Sequence, residues 1–417
     1  MGCRTVRIGD VASFRKESIK PVAGVTYRCY SLPAFDNAKT PEVLDGSEIL
    51  SNKLRIDAGD ILVNKLNMRF KRIWPVDKLL PNSVCSTEFV PLCPKGNIDR
   101  NYLLYILLSD DFTRQLSGMR TGTSGSHQRV KPEWILDYHF ELPDETLQQR
   151  IGSILSSIDA KVAANSKLNG YLVELVKALF NRWFKDFAPF AGEETHASEI
   201  GEIPISVNLV PLADLTKTIT KGTTPTTLGF EYKESGINFI KGESILDNHS
   251  FDYGKFAHID DEANGALKRS IIEDRDLLFT IAGTLGRFAM VEQGMLPANT
   301  NQAVGIIRVN DKVLSPEVLL SYFIGSWQED YYARRVQQAV QANLSLTTLK
   351  SLPVPVLKGQ KRAEYEAQVL PIISAFEANN TENRKLAKIR DALLPKLMSG
   401  EIDVSKVALT QLNSHLA

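Results

Sequence analysis

Between Pro143 and Phe187, apolar side chains recur at Leu147, Ile151, Ile154, Ile158, Val162, Leu168, Leu172, Leu175, Leu179 and Trp183. With Asn165 included, steps of three and four place them on one stripe of a long helix, which Asp144 or Thr146 can cap. The opposite face carries Gln149, Arg150, Ser153, Ser156, Lys161, Lys167, Glu174 and Lys177. So narrow a stripe predicts one facing helix as partner rather than a broad core. A buried Asn such as Asn165 gives up stability to fix register.

A second stretch, residues 360 to 400, matches the first at an offset of 214 residues, the separation of Asn165 and Asn379. The same offset aligns Ala164 with Ala378, Asn169 with Asn383, Leu172 with Leu386, Ala178 with Ala392 and Leu179 with Leu393. The chain is therefore read as a tandem repeat. Its helix-pair seam is expected at Ile151, Ile158, Asn165, Leu172 and Leu179 on one helix, and at Ile372, Asn379, Leu386 and Leu393 on the other. Pro371 lies inside the second stretch and predicts a kink or a late helix start.

The remaining sequence follows the repeat. Residues 1 to 142 alternate short apolar runs with turn signals and then read as a helix over NYLLYILLSDDFTRQLSG. In residues 204 to 353, VPLADLTK matches VRIGDVAS, SIIEDRDLLFTIAG matches LRIDAGDILVNKL, and NTNQAVGIIRV matches CSTEFVPLCP. The expected divisions are globular domains at 1–142 and 204–355, helices at 143–187 and 356–400, a linker at 188–203 and a tail at 401–417. A mixed α and β content follows.

Composition narrows the function. Of 417 residues, 43% are hydrophobic and 24% charged, as in well-packed soluble domains. No apolar run is long enough for a signal peptide or a membrane span, so a cytoplasmic chain with no membrane partner is expected. Lys plus Arg and Asp plus Glu are equal at 49 each, so nucleic-acid binding has to come from local patches. Cys3, Cys29, Cys85 and Cys93 lack CxxC spacing and a histidine cluster, which favours reduced structural thiols and no metal site. There is no phosphate-binding GxxxxGK[ST] loop, no HExxH and no Asn-Pro-Pro-aromatic tetrapeptide. No catalytic residues are expected.

Three stretches carry candidate DNA contacts. NKLNMRFKRIW interleaves Lys65, Arg69, Lys71 and Arg72 with Phe70 and Trp74, as suits a strand against a nucleic-acid backbone, or a charged sheet edge. Lys217, Lys221 and Thr223 in TKTITKGTTPTT are its weaker counterpart. MRTGTSGSHQRVKPEW offers Arg120, Thr121, Thr123, Ser126, Gln128 and Arg129. Such a loop is either merely solvated or able to bond phosphates and base edges. Its counterpart near RRVQQAVQANLSL keeps Gln338, Gln341 and Asn343, which favours the second reading. DLLFTIAGTLGRFAMV lacks the third glycine and following helix of a nucleotide loop and reads as a hairpin turn. Thr284 and Arg287 on that turn can reach a phosphate or a base edge.

Taken together, LPDETLQQRIGSILSSIDAKV, RDALLPKLMSGEI, GDILV, STEF, DLLFTIAGTLGRFAMV and QANLSLTTLKSLPVPV resemble signatures of the specificity subunits of type I restriction-modification systems. The likeness spans nearly the whole chain, although QKRAEYEAQVLP lacks the acidic-Gln signature of the first helix. The resemblance implies an α+β fold: two globular target-recognition domains separated by an antiparallel pair of long coiled-coil helices, with an internal pseudo-two-fold repeat. It also implies binding to double-stranded DNA as two unlike half-sites. Two copies of a modification subunit, carrying S-adenosylmethionine and methylating adenine, would dock on the helices. Restriction subunits using ATP and Mg2+ are implied as further partners, and no cofactor in this chain. The alternative is a DNA-independent coiled-coil adaptor that assembles partner enzymes.

Overall fold

The computed structural model describes residues 4–36, 39–68, 70–119, 129–329 and 344–404. The chain divides into two compact units, residues 1–162 with 385–417, and residues 163–384. Both divisions fall inside long helices, Glu145–Phe184 and Gly359–Met398, so each unit contains globular chain and a segment of each helix.

In the first unit, Arg4–Arg7 pairs with His139–Leu142. A four-stranded antiparallel sheet follows in the order Ala12–Phe14, Phe89–Pro94, Ile61–Asn64, Ile73–Pro75. A five-stranded sheet contains one parallel pair, Thr26–Tyr30 with Ser83–Ser86. Ile61, Leu62 and Val63 of the strand Ile61–Asn64 form an apolar run because both its faces are covered. Ile61 and Val63 pack with Tyr102, Leu103 and Tyr105 of the helix Arg100–Leu108, while Leu62 packs with Trp74, Cys85 and Phe89.

The second unit repeats this plan. Val207–Pro211 pairs with Pro353–Leu357, and the four-stranded sheet runs Thr216–Lys221, Val304–Val309, Leu277–Thr280, Phe288–Met290. Leu277 and Phe279 face one core and Leu278 another. A parallel pair, Ile237–Ile240 with Ala298–Thr300, stands where Thr26–Tyr30 and Ser83–Ser86 stand in the first. Even a buried carboxylate recurs: Asp60 is held by Arg15 at 2.9 Å and Asp276 by Arg308 at 2.7 Å, each carboxylate 1% exposed. The guanidinium comes from a different place in each unit, just after the strand Ala12–Phe14 in the first and within Val304–Val309 in the second. The repeated demand is for the acid, which also accepts a backbone N–H three residues upstream, from Asp57 or Glu273.

The helix segments run antiparallel within each unit. In the first, Ile151, Ile154 and Leu155 pack with Leu397, and Asp159 accepts from Arg390 at 2.7 Å. In the second, Val176, Phe180, Trp183 and Phe184 pack with Tyr365, Val369 and Ile373. Asp144 caps the first helix through the Leu147 N–H at 2.9 Å.

Three expectations are corrected. The apolar stripe is not continuous: Leu168 and Leu175 are 46% and 51% exposed, and Asn169, Val176 and Phe180 are buried instead. The partner is also broader than one helix, because the stripe's ends join the domain cores through residues such as Tyr102 and Tyr322. Pro371 neither delays nor ends the second helix, which begins at Gly359; the residue is exposed there. Residues 188–203, expected as a linker, hold a 3-10 turn at Ala188–Phe190 and most of a hairpin of Thr195–Ser198 with Gly201–Pro204. Buried Phe190 and Ile203 tie it to Trp183. Of the expected seam, Ile151, Ile158, Asn165 and Leu386 are buried, and Leu172, Leu179, Ile372, Asn379 and Leu393 are half-buried.

Candidate nucleic-acid interface

The stretch from Lys65 to Arg72 is not a strand but the loop of the hairpin formed by Ile61–Asn64 and Ile73–Pro75. Its first residue is fixed from both sides. The Lys65 N–H donates to the Glu88 carbonyl at 2.9 Å, and the Val130 N–H donates to the Lys65 carbonyl at 2.8 Å. Leu66 also forms a β-bridge with Arg129. The chain that follows the segment expected to read DNA is thus held, from Arg129 onward, against the base of the hairpin loop. Arg69, Arg120, Thr121, Thr123, Ser126 and Gln128 lie outside the described residues.

The second unit builds the same junction from other side chains. Its hairpin is Leu277–Thr280 with Phe288–Met290, and Gly283 and Gly286 supply positive φ of 76° and 91° in the loop. Phe288–Met290 continues as a strand, which removes the nucleotide-loop reading. The Ile281 N–H donates to the Ala303 carbonyl at 2.8 Å, and the Leu344 N–H to the Ile281 carbonyl at 2.9 Å. Gln338, Gln341 and Asn343, expected to read DNA just before Leu344, are outside the described residues. The counterpart of the Lys65–Arg72 loop is therefore the Thr284–Arg287 loop. Lys217, Lys221 and Thr223 belong to a different place, the strand Thr216–Lys221 and its exit. That exit is tight, since a Cβ at Gly222 would lie 1.9 Å from the Thr300 carbonyl oxygen.

Among the described residues, the charge at each unit's loop is mostly compensated within that unit. Arg72 holds both oxygens of Asp36 at 2.8 and 2.7 Å, and its guanidinium lies 5.0 Å from the Phe70 ring. Lys71 bonds Asp110, and Arg129 holds Glu88 at 2.8 and 3.3 Å. Arg287 holds Asp247 at 2.6 and 2.7 Å and reaches the Ile245 carbonyl at 3.3 Å. Arg72 and Arg287 occupy the same place, directly before the return strand. Lys65, Lys217 and Lys221 form no ion pair with a described residue; Lys217 and Lys221 are exposed, Lys65 half-buried. Thr223 accepts from Arg269 at 3.2 Å, and Thr284 is exposed. The four acidic partners escaped sequence reasoning because no motif or period connects them with their bases.

The helices contain a second polar arrangement. In the unit formed by residues 163–384, Asn165 donates to Asn383 at 3.0 Å and Asn379 donates to Asn169 at 2.8 Å. Shifting one bond by the repeat offset generates the other. Asn169 to Asn380 at 2.8 Å and Asn383 to Ser166 at 3.4 Å form a second related pair. Asn165 also reaches Glu382 at 2.6 Å.

Duplicated α+β domains bearing paired loops, joined to helices with a two-fold polar lock, define a modular protein built on an internal repeat. The chain belongs to the type I restriction modification DNA specificity domain family, whose model matches residues 2–172 and again 204–390. It is the non-catalytic DNA sequence-specificity component of a restriction-modification system, and the DNA-independent adaptor is set aside. Similar proteins include the Type I restriction enzyme HindI specificity subunit of Haemophilus influenzae, 25% identical over 413 residues, covering 84% of this chain and 88% of the relative. The MjaIX specificity subunit of Methanocaldococcus jannaschii is 22% identical over 326 residues, covering 76% and 73%. Among solved structures, the type I restriction-modification S subunit from M. genitalium shares the fold, with a TM-score of 0.53 at 14% identity over 95% of this chain and 96% of that one. Among the described residues, no helix is long and apolar enough to cross a membrane, and Cys29, Cys85 and Cys93 are free thiols.

Proposed function

We propose that each unit reads one part of a split, asymmetric DNA target through its hairpin loop and the segment returning beside it. The observation that carries this reading is the repeated junction, Lys65 between Glu88 and Val130, and Ile281 between Ala303 and Leu344. Two frameworks with the same hydrogen bonds present loops of unlike sequence, so two unlike half-sites follow. Helices of 40 residues, about 60 Å long at ~1.5 Å per residue, suit half-sites one or more turns of DNA apart. The spacer of unread base pairs would then follow from helix length.

The same reading places modification subunits on the helices. Leu168, Tyr171 and Leu175 favour docking: three exposed apolar side chains on one helical face. At the repeat offset only Ile389, 49% exposed, keeps an apolar counterpart, so two copies would dock with unequal contacts. S-adenosylmethionine would be bound by those subunits, and ATP with Mg2+ by any restriction subunits that join them.

Adenine-methylation mapping of DNA from cells expressing the modification subunit, with and without this chain, tests the proposal. A bipartite methylated motif that requires the chain is the expected result. A contiguous motif would overturn the split target. No motif from an assembled complex would remove the DNA-reading role from these loops.

A further inference from the structure

The ion pairs on the reading surface differ in which partner faces solvent. Asp36, Asp110 and Asp247 are 51%, 84% and 78% exposed, whereas Arg72, Lys71 and Arg287 are only 18%, 36% and 26% exposed. A phosphate approaching these cations meets the carboxylate first. Arg129 and Glu88 are reversed, at 59% and 24%. The bidentate carboxylates on Arg72 and Arg287 occupy the paired donors that a phosphate would otherwise take.

We propose that Asp36, Asp110 and Asp247 are specificity-determining residues that shield Arg72, Lys71 and Arg287 from indiscriminate phosphate attraction. This rests on the reading of these loops as the DNA interface. Every cation delivered to a phosphate raises affinity for all sequences alike, and discrimination grows when wrong partners meet a repulsive charge. The shield accords with the zero formal net charge of the chain. It is also duplicated: Arg72 with Asp36 and Arg287 with Asp247 recur at the same loop position, while the neighbouring loop residues differ.

The test uses the full-length chain and its Asp36→Asn, Asp110→Asn and Asp247→Asn variants, singly and combined. Affinities for a random-sequence duplex and for the mapped target are measured across a salt series. Each substitution should raise random-duplex affinity about fivefold at most, the upper range for an exposed pair, and steepen the salt slope by about 0.9. Target affinity should rise less, so discrimination falls. Asp36→Glu and Asp247→Glu should restore the original random-duplex affinity. Glu88→Gln, which removes an inward carboxylate, should not raise it. If the substitutions lower affinity for both duplexes, or leave the random duplex unchanged while the parent chain binds its target, the carboxylates only hold the loops and the proposal fails. A parent chain without salt-dependent DNA binding would bring down the interface reading itself, and this inference with it.

Discussion

The asparagine lock between the helix segments gives the most direct test of how register is set. Asn169 is 7% exposed. It donates to the Phe376 carbonyl at 3.2 Å and to Asn380 at 2.8 Å, and accepts from Asn379 at 2.8 Å. Asn169→Ala deprives three partners at once. A fully buried group left unpaired costs about 1–3 kcal/mol, and because Asn379 and Asn380 are half-buried, water recovers part of that loss. The net cost should be ~2 kcal/mol.

Replacing Asn165, Asn169, Asn379 and Asn383 together by Leu should behave in the opposite way. With both partners of the Asn165–Asn383 and Asn379–Asn169 bonds removed together, and the exposed Ser166 and half-buried Asn380 and Glu382 left to water, stability should return towards the parent value or exceed it, while the constraint on axial register disappears. Hydrogen exchange over residues 163–184 and 365–384 measures the first effect, and methylation mapping the second. The fourfold variant should methylate motifs with more than one spacer length. A single, unchanged spacer would refute the assignment of register to these residues. A loss below ~0.5 kcal/mol for Asn169→Ala, the low end for a net hydrogen bond, would show that the cluster is hydrated.

Gly152→Ala brings a Cβ within 2.6 Å of Asp99 Oδ1 and 2.9 Å of Asn101 Cβ; overpacking there should lower unfolding stability by about 1–3 kcal/mol in urea denaturation. Asp276→Ala removes the buried partner of Arg308, which keeps Glu273 at 2.5 Å, and should cost about 1–3 kcal/mol; Asp60→Ala should do the same to Arg15, which keeps Asp57 at 3.0 Å, and an effect below ~0.5 kcal/mol in either would mean that the second carboxylate and water replace the lost partner. Glu377 is pushed up to about 8, first by burial and then by Glu317. Its proton is therefore held in the folded state and released on unfolding, so its contribution falls as pH rises from about 4.5 to 8. Glu377→Gln should flatten that decline, with a higher urea midpoint than the parent at pH 9 and near equality at pH 4. Replacing residues 1–142 by those of a relative should change one half-site in the methylated motif and leave the other intact.

The repeat was legible because it is written in residues that the fold leaves little freedom. Ile61, Leu62 and Val63 are covered on both faces, as are Leu277, Leu278 and Phe279, so both stretches must be apolar and their likeness survives. The Asn165 and Asn379 alignment was legible for a similar reason: a buried amide has few substitutes. The exact stripe was not. Leu172, Leu175 and Leu179 compete with Val176, Phe180 and Phe184 for the same helix, and helical spacing permits either set. The packing decides, because Phe180 meets Tyr322 and Trp327 at ring distances of 5.8 and 6.0 Å. Those partners lie over a hundred residues away in sequence. The shielding carboxylates were hidden in the same way, 36 to 40 positions from their cations with no period to link them.

What stays constant between the halves and what varies suggests how specificity can change without refolding. The hairpin loops begin at a residue bonded through its backbone on both sides, and the segments returning beside them end at Val130 and Leu344. Backbone hydrogen bonds do not depend on side-chain identity, so this junction accepts Lys65 in one half and Ile281 in the other. Beneath it, the buried strands and the Asp60 and Asp276 carboxylates hold the loop bases in place. Residues between those anchors can be exchanged with little effect on the core, since surface changes away from buried features usually alter stability by about 0.5 kcal/mol or less. A basic residue added there would, however, strengthen binding to every sequence unless a carboxylate accompanied it. New specificity on this scaffold therefore requires paired changes, one in the loop that reads and one in the neighbouring segment that restrains its charge.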